Sequence, residues 1–123
     1  MHFVREDCNS ELVVRACDDR QVTIGTQSYR RSLILTPERV IPEWQPQQLS
    51  DITEQDFDRI LSLQAEIILL GTGARLSFPA AHLRAYVLAT GTGLEVMDTP
   101  AACRTYNILL SENRHVVAAL LLG

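Results

Sequence analysis

Two short segments carry the residues best suited to chemistry: Gly71-Thr72-Gly73-Ala74-Arg75 and Glu95-Val96-Met97-Asp98-Thr99. Glycines let a backbone approach a ligand, and an arginine beside them can clamp a carboxylate or phosphate. The first segment follows an apolar run, EIILL at 66–70, as phosphate-binding loops follow strands. It lacks the third glycine of a dinucleotide fingerprint and the Gly-Lys-Ser/Thr of a P-loop. Pro79, a natural first residue for the next helix, also comes too late to set a helix N-terminus on the glycines. The plainer reading is a glycine turn that takes the chain off the sheet. Ligands of open α/β sheets sit outside the carboxyl ends of the strands. If the two strands lie close, Gly71, Gly73, Arg75, Asp98, Thr99, Tyr106 and Asn107 would border one crevice for a small anion. Against that, Thr99 as a helix N-cap, Asp98 on the helix dipole and Tyr106 in the core explain the same residues structurally.

The familiar catalytic patterns are missing. His2, His82 and His115 lie far apart, and with Cys8, Cys17 and Cys103 they offer no metal-ligand spacing, so neither metal nor cofactor is expected. No G-x-S-x-G elbow supports Ser77 or Ser111 as a nucleophile. Cys103 falls in the first turn of an expected helix, where the dipole lowers a thiol's pKa, but no histidine partner is in register. His82 reads as a solvated residue on an outer helix face. Three cysteines without a C-x-x-C pair suggest reduced thiols rather than a disulfide framework.

The elements that would position these residues emerge from periodicity. Leu12–Cys17 and Gln21–Gly25 read as strands across the polar turn Asp18-Asp19-Arg20, with Ser28–Leu35 as a third. Residues 37–50, with three prolines, read as irregular connection that includes Trp44. Thr53-Glu54-Gln55-Asp56 resembles a capping box before the stripe Phe57, Ile60, Leu61. Then come a strand at 66–70, a helix from Pro79 to about Thr90, a strand at 93–97 and a helix from Pro100 to about Glu112. In the last helix Ala102, Tyr106, Leu109 and Leu110 share one face, and Asn113 can end it in the left-handed conformation. A buried strand at 115–122 closes the chain. Strand–helix–strand–helix–strand is the signature of parallel crossover units. The fold class is therefore α/β: a mixed central sheet with crossover helices and an added N-terminal β-hairpin layer, in one domain spanning 1–123.

Composition narrows the function classes. The chain has 123 residues, 46% hydrophobic and 21% charged, with a net charge of −4. Its eleven cations are all arginine, and only Arg30 and Arg31 adjoin, so there is no basic stripe for nucleic acid. The N-terminus MHFVREDCNS lacks the apolar run of a signal peptide. The longest apolar run, Val116 to Leu122, falls far short of the ~20 residues of a membrane helix. A cytoplasmic location follows as an expectation.

Taken together, GTGARLSFP at 71–79 and GTGLEVMDTPAACRTYNILL at 91–110 resemble a domain-of-unknown-function family of bacteria and archaea, whose mitochondrial relatives are related to complex I assembly factor 3. The family pattern maps to Gly71, Gly73 and Pro79; to Glu95, Met97 and Thr99; to Ala102, Thr105, Tyr106 and Asn107; and to Glu112 and Arg114. Asn113 stands where the family usually has glycine. The resemblance implies a mixed sheet with helices on one side and β-structure on the other. It implies no established activity or cofactor, and for the mitochondrial relatives it implies assembly of a respiratory complex through protein contacts. Two functions stay open: a non-enzymatic interaction domain with protein partners, or a small-molecule binder or enzyme using the crevice.

Overall fold

The structure, a computed structural model, describes residues 12–122; Cys8 and the N-terminal segment considered for a signal peptide lie outside them. A five-stranded sheet of order β5-β4-β8-β6-β7 forms the centre, from β4 (Leu33–Leu35), β5 (Val40–Ile41), β6 (Ile67–Gly71), β7 (Gly93–Met97) and β8 (Val116–Leu120). β6 pairs in parallel with both β7 and β8, while β4 runs antiparallel to β8. The sheet is therefore mixed, as expected. The unbroken apolar runs of β6 and β8 explain their central places, since both of their faces are covered. Along them side chains alternate between two cores: Leu69, Val116, Ala118 and Leu120 on one face; Ile68, Leu70, Val117 and Ala119 on the other.

Helices α1 (Glu54–Leu61) and α2 (Ala81–Leu88) cover the second face through Phe57, Ile60, Leu83 and Val87, joined there by Trp44. The capping box that starts α1 is present: Asp56 N–H donates to Thr53 Oγ1, and Thr53 N–H to the Asp56 carboxylate. Helix α3 (Thr99–Ser111) covers the first face with Ala102, Cys103, Tyr106 and Leu110. A three-stranded antiparallel sheet, β1 (Val14–Cys17), β2 (Val22–Ile24) and β3 (Gln27–Tyr29), packs on the same side. The expectation of helices on one side alone thus needs correction: α3 shares the β-side. Its placement has a topological reason. The chain steps from β6 outward to β7, then back across β6 to β8. Crossovers of one hand that reverse direction must put their helices on opposite faces.

Ser28–Leu35, expected as one strand, divides into β3 and β4, which belong to different sheets. The break is Arg30-Arg31-Ser32, where Ser32 is buried and its carbonyl accepts Trp44 N–H at 2.8 Å. Residues 37–50 are not wholly irregular: Val40–Ile41 add the edge strand β5, and Leu49–Asp51 form a 3-10 turn. The turn at Asp18 is as expected, its carboxylate accepting the N–H groups of Arg20 and Gln21. Asn113 ends α3 with φ 60°.

Candidate functional site

The two glycine- and threonine-bearing segments do meet. β6 and β7 are neighbours, and their carboxyl ends lead to helices on opposite faces, the arrangement that opens a crevice in doubly wound sheets. Here the space between them is filled by the chain itself. Thr99, fully buried, accepts Gly73 N–H at 2.8 Å on its hydroxyl and donates to the Leu121 carbonyl at 2.8 Å. Its own N–H reaches the Gly73 carbonyl at 2.9 Å. One side chain therefore ties together the loop after β6, the start of α3 and the chain just beyond β8. Gly71 is glycine because of this approach: a Cβ there would lie 2.9 Å from Thr99 Oγ1 and 3.0 Å from Thr99 Cα. Gly73, at φ +96°, needs glycine for its backbone conformation.

Thr99 is not the N-cap of α3. Asp98 takes that role, accepting Ala101 N–H at 2.8 Å, with Pro100 in the first turn. Displacement by one residue frees the Thr99 hydroxyl for the junction. Cys103 consequently sits at the fifth helical residue. Arg75 is exposed and makes no ion pair among the described residues; its carbonyl accepts the Thr72 hydroxyl at 2.6 Å, which closes the loop on itself.

The other candidates point away from the junction. Tyr106 is fully buried in the core beneath α3, and its hydroxyl has no hydrogen-bond partner among the described residues. Burial, with a smaller contribution from Glu38, pushes that phenol's pKa well above its ordinary value. Asn107 holds β1: its Oδ1 accepts Val14 N–H at 3.0 Å and its Nδ2 donates to the Val14 carbonyl at 2.8 Å. The side-chain amide thereby satisfies both backbone groups, as a neighbouring strand would. Gly71, Gly73, Arg75, Asp98 and Thr99 are thus brought together; Tyr106 and Asn107 are not. His82 is exposed, as its helix position suggests.

A different region offers open concave surface. Between the 3-10 turn, the start of α1 and the start of α2 lies a groove of about 570 Å³, lined by Leu49, Ile52, Phe78, Pro79, His82 and Leu83 among others. Phe78 is 57% exposed and Leu76 53%, two large apolar side chains close together in sequence that stand in solvent. Arg84 stacks over the Phe78 ring at 5.2 Å from its centroid. The Tyr86 hydroxyl donates to the Asp58 carboxylate and ties α2 to α1. Sequence reasoning missed this surface. Its one visible signal was the pair Leu76 and Phe78, apolar residues in a segment of no apparent periodicity. No three His, Cys, Asp or Glu side chains cluster as metal ligands among the described residues. No helix there is long and apolar enough to cross a membrane.

Residues 14–121 match the model of a family described as "Protein of unknown function (DUF498/DUF598)". A Francisella tularensis protein named "13 kDa major membrane protein" is 34% identical over 90 residues, covering 72% of each chain. "NADH dehydrogenase [ubiquinone] 1 alpha subcomplex assembly factor 3" of Danio rerio is 31% identical over 122 residues, 97% of this chain and 69% of that protein. The NMR structure of a Xanthomonas campestris protein superposes with a TM-score of 0.84 at 39% identity, covering 90% of this chain and 84% of the other.

Proposed function

This chain belongs to the DUF498/DUF598 family of proteins of unknown function, and on that premise we propose that it is a non-enzymatic protein-interaction domain of the assembly-factor kind, working in the cytoplasm. The observation that carries the reading is the groove with the exposed Phe78 in its wall, two residues after the exposed Leu76. Apolar anchors beside a concavity are the usual material of a protein contact. The assembly-factor name of the Danio rerio relative supports the same reading and suggests subunits of an NADH dehydrogenase as partners.

The test is a photo-cross-linking residue placed at Phe78 and, as a control, at Ile108, an equally exposed apolar position on the opposite side of the sheet. Adducts with NADH dehydrogenase subunits should form from Phe78, vanish in competition with untagged wild type, and persist in the presence of untagged Phe78→Asp, which has lost the anchor. Equal adducts from both positions, or none from Phe78, would remove the groove from consideration.

A second reading has one observation in its favour. Arg75 is exposed beside a loop at the point where neighbouring connections diverge to opposite faces. A small anion held by Arg75 at the rim of the Gly71–Thr99 junction is the alternative function, and a ligand whose binding is lost in Arg75→Ala would establish it.

A further inference from the structure

Cys17 ends β1 and Cys103 lies in α3, and the fold brings residues 86 positions apart into direct contact, the Cys103 thiol donating to Cys17 Sγ at 2.9 Å. Both are free thiols, with Cys17 half-buried and Cys103 buried. Their meeting is enforced rather than incidental. Asn107, one helical turn after Cys103, holds both backbone groups of Val14, so β1 is pinned along α3 a few residues from the sulfurs. An opening of about 240 Å³, lined by Val14, Arg15, Cys17, Pro100, Cys103 and Arg104 among others, gives access to the pair.

We propose that Cys17 and Cys103 form a thiol–disulfide exchange site that reduces a low-molecular-weight disulfide and is itself oxidised to an intramolecular disulfide bond. Disulfide sulfurs are separated by about 2.05 Å, so the two need to close by less than about 1 Å. The roles are unequal. The hydrogen bond from Cys103, with help from Arg104, lowers the Cys17 pKa against the opposing effects of burial, Asp18 and Asp98. That same bond, with burial, raises the Cys103 pKa. Cys17 is thus the attacking thiolate, and Cys103 the resolving thiol.

The Cys17 thiolate attacks one sulfur of a disulfide RSSR, forms Cys17–S–S–R and expels RS⁻, which takes up a proton. Cys103 then gives up its proton and attacks Cys17 Sγ, which breaks the mixed bond and releases the second RS⁻ as RSH. The two protein thiols lose two electrons and two protons in total, and RSSR becomes two RSH.

Oxidised glutathione serves as the probe, on the full chain carrying Cys8→Ser so that only this pair can react. After trapping of free thiols, peptide mapping should find Cys17 joined to Cys103 with no lasting glutathione adduct. The added Cys103→Ser should accumulate the adduct on Cys17, with Cys103→Ala as a second variant should serine disturb packing. With Cys17→Ser, the buried Cys103 should react at least about tenfold more slowly than Cys17 does. Oxidised protein should melt above reduced protein, because the bond fastens the small sheet to α3. A glutathione adduct that persists on Cys17 beside a free Cys103 would overturn the proposal. So would a Cys103 that reacts first, or a wild-type chain that joins Cys8 to either thiol in preference.

Discussion

At the carboxyl ends of β6 and β7 the polar groups are spent on one another, with Thr99 bonded to Gly73 and Leu121 and the space over Gly71 occupied. Across the sheet, at the starts of α1 and α2, the exposed Phe78 stands beside a groove that no described residue fills. The first region is dense with glycine, threonine and aspartate in recognisable order; the second carries no motif. Residue types that suit ligand binding also suit the joining of three backbone segments in a small space, because both tasks need close approach and directional hydrogen bonds. A motif therefore marks a demanding backbone geometry before it marks a function. Open surface, which a partner needs, leaves a weaker trace in sequence.

The sharpest way to break this contrast is Thr99→Val, which keeps the shape and removes the hydroxyl. Gly73 N–H and the Leu121 carbonyl then lose their shared partner in a buried setting. At the cost of an unsatisfied buried group, chemical denaturation should show a loss of roughly 2–4 kcal/mol. Thr99→Ser keeps both bonds and deletes one methyl, so it should lose about 1 kcal/mol. Equal losses for the two variants would mean that packing, not the hydroxyl, holds the junction.

Gly71→Ala should rank next, at about 2–3 kcal/mol, since the new Cβ meets Thr99 backbone that cannot turn aside. The double variant Gly71→Ala with Thr99→Val should lose less than the sum, because both act on one contact. Strict additivity would show that the two residues do not belong to one junction. Asp98→Ala removes a side-chain cap from a largely surface position and should cost only about 1 kcal/mol.

How much of this was legible in sequence depends on the range of the interaction. β7 was readable to its ends, because Gly93 and the polar Asp98-Thr99-Pro100 bound a short, mostly apolar run. The capping box at Thr53 and the left-handed Asn113 were readable for the same reason: each is settled within four residues. Ser28–Leu35 was misread as one strand because no glycine or proline marks Arg30–Ser32. What ends β3 there is the buried Ser32, whose partners Trp44 and Leu122 are remote in sequence. The one-residue error between Thr99 and Asp98 has a similar origin, since either can cap and only Gly73 and Leu121 decide. Cys17 and Cys103 carried no spacing signal at all. Their contact exists because Asn107 pins β1 to α3, and nothing local to either cysteine records it.

Arg75→Ala should have the smallest effect, and it bears most directly on the contrast. Arg75 is exposed and has no ion pair among the described residues, so its loss should change stability by no more than about 0.5 kcal/mol. The informative measurement is binding. A panel of carboxylates, phosphates and nucleotides can be screened by thermal shift against wild type, Arg75→Ala and Thr99→Ser. A ligand at a hundred times its dissociation constant adds about 2.7 kcal/mol, a shift larger than the variant's own effect. If the junction is architectural, no compound shifts wild type more than it shifts Arg75→Ala. If Arg75 holds an anion at the rim, wild type and Thr99→Ser respond while Arg75→Ala does not, because the serine hydroxyl preserves the bonds that shape the loop. Stability and binding then separate onto different residues of one motif: Thr99 for the fold, Arg75 for the ligand. That outcome would move the functional surface from the groove to the strand ends, and the interaction reading would fall with it.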